Sequence, residues 1–355
     1  MIRISFVGDI SLNNGYQKLQ EQSKSPFAEV ENIFTSVDFC IGNLECLCAA
    51  DGQENKLKVP RLKTNESALD LIQPLHFNML SLAHNHIYDA CEGGISCTLA
   101  KLKSIGIIPI GYKFNADEDP FIWKAEVKGM PLSVITAVHK DTNPHLPGNV
   151  HLNLPFYDAD RIVEAIREAK QKKCFIAVYL HWGGMTEEGF MPDWYEIQDA
   201  HRFIDEGADV VIGSHSHTIQ PFEKYKGKCI FYSLGNFCFD DVETDGKTYP
   251  IGRYRKRKGI VVTLDIDEND FSYGVRVQRI RNKKCFIHKQ SGMLKLRLRN
   301  ARFQVLTCCK SLWKLNFWWF RKISPIFIYL MESPDPIKTK LSKFKIDKLL
   351  NRIKS

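Results

Sequence analysis

Residues 210–217 read Val210-Val-Ile-Gly-Ser-His-Ser-His217, an apolar run that breaks into two histidines at its carboxyl end. The construction recurs. Ile2 to Val7 runs into Gly8-Asp9, Phe39 to Gly42 into Asn43-Leu-Glu45, and Phe77 to Ala83 into His84-Asn85-His86 with Asp89 one turn on. Phe175 to Leu180 runs into His181-Trp-Gly-Gly184. Short runs rich in Val, Ile and Phe, bounded by polar turns, read as buried strands. Others are expected at 107–111, 132–138 and 229–234, with a closing hairpin at 259–266 and 271–280. Between them the spacing predicts helices over 67–75, 91–105, 158–172 and 193–206, the third opening on Asp158-Ala-Asp160 as an N-cap region. Strands alternating with helices predict an α/β fold, which presents its ligand groups beyond the carboxyl ends of its strands.

The residues gathered at those ends point to a metal. An Asp, a Glu, an Asn and several His converging from five loops make a mixed nitrogen and oxygen set suited to Zn, Mn or Fe. Two ions close together need a bridging carboxylate, which this set can supply. His215 and His217 are two apart, so in extended backbone both imidazoles project to one side.

Taken together, Val7-Gly-Asp9, Gly42-Asn-Leu-Glu45, Asn85-His86 with Asp89 and Gly94, and His181-Trp-Gly183 form an ordered set of motifs. It continues through Glu206 to Gly213, Ser214-His-Ser-His-Thr-Ile-Gln-Pro221 and Tyr232-Ser-Leu-Gly-Asn-Phe237. The set resembles the poly-gamma-glutamate capsule biosynthesis (CapA) family over about residues 1 to 266. That family is similar in turn to the calcineurin-like metallophosphoesterases. The resemblance implies an α/β, metallophosphoesterase-like four-layer sandwich of two mixed sheets flanked by helices. It implies one or two divalent ions (Mn, Fe or Zn), with Asp9 on the first and Glu45 bridging. Asn85, His181 and His215 would hold the second, while His217 would reach back to the first. His86 would protonate a leaving oxygen or stabilise the phosphoryl group. Asn43 and Asn236 stand at the ends of apolar runs, where each either lines the cleft and touches substrate or packs its loop as a turn asparagine.

Two departures bear on this. Ser11 stands where the phosphoesterase pattern Asp-X-His has its histidine, and Glu45 is one methylene longer than the usual aspartate. One ion bound well and a second bound weakly is the expectation. His84 replaces the first Asn of the usual Asn-Asn-His, either as a compensating ligand or as a residue in the shell behind. The implied function is hydrolysis of a phosphoester or related bond in a capsule or surface-polymer precursor. The alternative is a non-enzymatic assembly or export factor that keeps the fold.

The chain of 355 residues, 44% hydrophobic and 25% charged, has an ordinary globular composition, which excludes collagen-like or wholly disordered character. Its net charge of +8 is unevenly spread, because residues 295–355 hold 15 Lys or Arg against 3 Asp or Glu and leave a mildly acidic body. A boundary is therefore expected near residue 290, dividing a body at 1–290 from a basic aromatic extension at 291–355. Residues 312–331 are long enough to span a bilayer, but Lys314, Arg321, Lys322 and Pro325 interrupt them. Leu312-Trp-Lys-Leu-Asn-Phe-Trp-Trp-Phe-Arg-Lys322 fits a segment lying in the headgroups of an anionic membrane, or a terminal helix pair packed on the body. Farther on, Ile337, Leu341 and Phe344 share one helical face. No motif supports nucleic acid as the partner of this charge. The run Arg253-Tyr-Arg-Lys-Arg-Lys258 reads as a solvated hairpin loop or as an attractor of anionic substrate.

Eleven cysteines occur without a CxxC pair, and Cys40, Cys174, Cys229 and Cys285 sit in apolar runs, so free thiols in a reducing compartment are expected. The first residues read as a strand with no signal-peptide h-region. The body is therefore expected in the cytoplasm, at the inner membrane face if the extension binds there.

Overall fold

The computed structural model describes residues 1–50, 52–147, 150–251 and 257–322, with 320–322 described by backbone alone. Most of the run at 253–258 and the stretches at 323–331 and 337–353 therefore lie outside the described residues. The chain first lays down β1 (Ile2–Ile10), β2 (Phe39–Leu44), β3 (Met79–Ser81) and β4 (Ile108–Ile110). A second sheet follows, made of β5 (Ile122–Val127), β6 (Met130–Val138), β7 (Phe175–His181), β8 (Val210–Ser214), β9 (Phe222–Tyr225) and β10 (Lys228–Phe231). The chain then returns to the first sheet with β11 (Asn236–Cys238), β12 (Lys258–Ile266), β13 (Tyr273–Lys283) and β14 (Phe286–Gln290).

The first sheet runs β14-β13-β12-β1-β2-β3-β4, with β11 beside the end of β1; the second runs β9-β10-β8-β7-β6-β5. Both are mixed. In the first, β1 to β4 pair in parallel and β12 to β14 add antiparallel. In the second, β6, β7, β8 and β10 are parallel while β5 and β9 close the edges antiparallel.

Period-two alternation stacks these sheets into layers. In β7, Phe175, Ala177 and Tyr179 enter one core, and Ile176, Val178 and Leu180 enter another. The first core lies between the sheets, where Ile2, Ile4 and Phe6 of β1 meet Leu132, Val134 and Ile212. The other lies under α2 (Ala159–Gln171) and α3 (Trp194–Glu206). A third, on the outer face of the first sheet, buries Ile95 and Leu102 of α1 (Cys91–Ser104). Helix, sheet, sheet and helix make the expected four-layer sandwich of two mixed sheets flanked by helices.

Asp158 caps α2 through its Oδ1, which accepts the amides of Asp160 at 2.9 Å and Arg161 at 3.1 Å. The segment expected as a helix over 67–75 is instead a 3₁₀ helix, Glu66–Leu75. Pro74 has no N–H to give, and Leu69, Ile72 and Leu75 recur every third residue, which suits three residues per turn. The edge strands β5, β9 and β14 are half-exposed and lack an apolar run, and the three-residue β11 falls beyond the run at 229–234. All eleven cysteines are free thiols, and Cys40, Cys174, Cys229 and Cys285 are buried as small hydrophobes.

Candidate metal centre

The end of β1 is shaped by a close backbone approach. A Cβ on Gly8 would fall 1.8 Å from the carbonyl oxygen of Gly235, so only glycine lets these segments meet. The Asp9 amide then donates to Gly235 O at 3.2 Å, and register places Asp9 opposite both Asn43 of β2 and Asn236 of β11. Glu45 follows β2 directly and is tied to β1 by its amide, which donates to Ile10 O at 2.8 Å.

From the second sheet, His181 ends β7 and pairs with Ser214 at the end of β8. Past Ser214 the backbone departs from the extended form expected for His-Ser-His. His215 has φ of 84° and His217 φ of 56°, left-handed conformations that cost about 1–3 kcal/mol each outside glycine. Those bends still turn both imidazoles inward. Ligand atoms of Glu45, His215 and His217, all buried, lie within 4.8 Å of one another.

Glu45 stands at the middle of the group. Its Oε1 is 3.7 Å from His181 Nε2, its Oε2 is 3.8 Å from His217 Nδ1, and neither oxygen has a hydrogen bond. On one side, His217 Nδ1 is 3.5 Å from Asp9 Oδ2. On the other, Asn85 Oδ1 and His215 Nδ1 each lie 3.0 Å from His181 Nε2. The His215 amide donates to Asp9 Oδ2 at 3.2 Å, which locks the histidine loop to the first sheet.

Asn43 and Asn236, expected at the substrate, sit behind these groups. Asn43 Nδ2 donates to Asp9 Oδ1 at 2.9 Å, and Asn236 Oδ1 lies 2.9 Å from His217 Nδ1. Both are fully buried, because parallel pairing with Asp9 draws them into the sheet. Their side chains orient the Asp9 carboxylate and the His217 ring. Ser11 donates its hydroxyl to Asn13 Oδ1 at 2.7 Å. His84 Nδ1 accepts the His86 amide at 3.1 Å, while its buried Nε2 has no partner.

Residues 3–241 match the family described as bacterial capsule synthesis protein PGA_cap. The chain belongs to that family. It is 29% identical over 287 residues to the PGA biosynthesis protein CapA of Bacillus subtilis, covering 76% of this chain and 72% of that protein. It is 25% identical over 279 residues to the capsule biosynthesis protein CapA of Bacillus anthracis, covering 75% of this chain and 66% of that one. Among solved structures it is similar to a 5′-nucleotidase precursor from Thermus thermophilus, with a TM-score of 0.44 and 12% identity over 86% of this chain and 59% of that chain.

In this PGA_cap chain the buried centre is electrostatically short of cations. Burial, then the neighbouring Asp9, pushes the Glu45 carboxyl well above its ordinary range. Burial holds the His181 ring well below its usual value and brings His215 to about 4, so both are neutral and free to ligate. Two close carboxylates and neutral imidazoles, with the Glu45 oxygens unbonded, fit a divalent cation in their midst.

His86 lies at the mouth of the centre, on a cavity of about 240 Å³ that His217, Glu187 and Lys58 also line. Its Nδ1 is 2.6 Å from Asp89 Oδ2, an oxygen that also accepts the Leu62 amide at 2.6 Å. Lys58 escapes a sequence reading, since the loop at 46–62 has no periodicity and a lone lysine is no motif. Its buried ammonium donates to the Asn85 carbonyl and, at 2.9 Å, to the Asn143 carbonyl. It is the cation that the PGA_cap cavity holds beside His86.

Proposed function

We propose that this protein is a divalent-metal-dependent hydrolase of a phosphoester or related bond, acting on a precursor in capsule or surface-polymer production. The observation that carries this reading is Glu45: a buried carboxylate with two unbonded oxygens, one turned to His181 and the other to His217. Asp9, Glu45 and His217 would hold one ion, and Glu45, Asn85, His181 and His215 a second. A bound divalent ion supplies Lewis acidity toward a phosphoryl oxygen and a nucleophile at neutral pH.

The chain's own residues would do the rest. Lys58 brings positive charge to the cavity wall and favours an anionic substrate there. His86 stands on the same wall with Nδ1 fixed by Asp89, which leaves its other nitrogen to handle the proton of a leaving oxygen. Asn43 and Asn236 keep Asp9 and His217 in register.

Metal analysis of the purified protein, followed by a panel of phosphoesters on wild type and His86→Ala, tests the reading. Bound metal and turnover that falls about 100-fold or more in His86→Ala are expected. Bound metal without turnover on any ester would leave an assembly or export role in its place, and a variant as active as wild type would show that the turnover does not come from this site.

A further inference from the structure

The segment after β14 folds into α4 (Leu294–Thr307) and α5 (Lys310–Lys322), and α4 is apolar on two opposite sides. Leu296 and Phe303 are buried against the body, with Phe303 meeting Tyr232 at 5.3 Å and Trp313 of α5 at 6.0 Å between ring centroids. The helix is pinned by Asn300 Oδ1, which accepts the Phe222 amide at 3.1 Å, and by Arg299 over the Phe190 ring. The opposite side carries Leu294, Leu298, Ala301 and Val305 at spacings of four, three and four, a stripe about 60° wide on a 3.6-residue turn. Leu294 is 69% exposed, Leu298 62% and Val305 66%.

The pattern continues in α5. Trp313 turns inward against Trp194, while Leu312, Leu315, Trp318 and Trp319 remain exposed. Half of the large hydrophobic side chains exposed among the described residues lie in this one hairpin. Residues 294–322 contain eight Lys or Arg and no Asp or Glu. In α4, Lys295 and Arg302 border the exposed stripe on one side and Arg297 on the other. A docking helix needs one apolar side, so the second stripe is unexplained by packing on the body. A water-facing helix has no use for it.

We propose that the α4–α5 hairpin is a membrane-surface foot: its inner stripe fastens to the body, and its outer stripe enters the headgroup region of an anionic bilayer. The chemistry matches that occupant in both respects. Leu, Val and Trp side chains partition into the interface, and the cations flanking them meet lipid phosphates. The packing and membrane readings of this segment thus belong to opposite sides of the same helix.

The test uses the full chain with vesicles of phosphatidylcholine alone and of phosphatidylcholine mixed with phosphatidylglycerol. Wild type is expected to pellet with the mixed vesicles and not with the neutral ones, and to be released by salt. A variant carrying Leu298→Glu, Val305→Glu and Leu315→Glu should bind about tenfold more weakly or less, with an unchanged unfolding midpoint. If that variant unfolds, quenching of wild-type tryptophan emission by brominated lipid takes its place as the readout. The proposal is overturned if wild type ignores anionic vesicles or binds neutral ones equally. It also falls if the folded variant binds as wild type does, if pelleting disappears with nuclease, or if the outer stripe proves to be buried in a dimer that the variant dissociates.

Discussion

His86 Nδ1 and Asp89 Oδ2 lie 2.6 Å apart, both buried, and the same oxygen holds the Leu62 amide. The carboxylate therefore fixes one ring nitrogen of His86 without itself reaching the metal-ligand group. Asp89→Asn should leave metal content unchanged and lower kcat on a phosphoester by about 10- to 100-fold, the usual size of an orienting contact. Metal analysis alongside steady-state kinetics checks both halves, and a loss of metal would instead make Asp89 part of the ion site.

Glu45 places an opposite demand on the protein with and without metal. Without metal its carboxyl is held above the ordinary range by burial and by Asp9, so the folded state binds a proton more tightly than the unfolded one. The metal-free protein should therefore gain stability as pH falls toward the unfolded value for glutamate, and lose it as pH rises. Glu45→Gln removes that repulsion. In chelator it should melt higher than wild type; with Mn or Zn added, wild type should rise and the variant should not. Unfolding midpoints in the two buffers decide it.

Lys58 supplies charge rather than ligation. Lys58→Met should raise KM for an anionic phosphoester by about tenfold or more, the worth of one charge-assisted hydrogen bond, with a smaller effect on kcat. A neutral ester of the same leaving group is the control, since its KM should hardly move.

The loop that carries Lys58 is itself fastened by charge. Lys63, then Lys56, hold Glu54 down to about 2 from its ordinary 4.5, and Arg61 lies 3.0 Å from the same carboxylate. A depressed carboxyl stabilises the fold above its unfolded value and stops doing so as pH falls through the folded one. Wild type should therefore lose stability between about pH 4.5 and 2 by a component that Glu54→Gln lacks. At neutral pH the variant should cost about 1 kcal/mol or less, because Glu54 is one-fifth exposed. Denaturant melts across this range measure both.

The centre is legible in the sequence because Asp9, Glu45, His181, His215 and His217 each interrupt or end an apolar run. A strand reading alone puts them at one edge of the fold. Lys58 has no such marker, since its position depends on how an irregular loop folds over the cavity. The roles of Asn43 and Asn236 are equally hidden, because being beside Asp9 is a matter of register, and register is a pairing between distant strands. The left-handed turns at His215 and His217 could not be read either, as nothing in Ser-His-Ser-His favours positive φ. The double-sided character of α4 is present in the spacing of its leucines, yet which side docks is settled only by Tyr232 and Trp313.

The two halves of the centre come from different sheets: Asp9, Glu45 and Asn85 from the first, His181, His215 and His217 from the second. Neither half brings carboxylates and imidazoles together by itself. A folding intermediate with one sheet formed would offer an ion only part of this set, and loading would wait until Tyr179 has given its hydroxyl to Val7 O, 2.6 Å away across the inter-sheet core. A metal held there would then be a late clasp on finished layers and not a seed for them, so chelation during refolding should leave the rate of sheet assembly untouched.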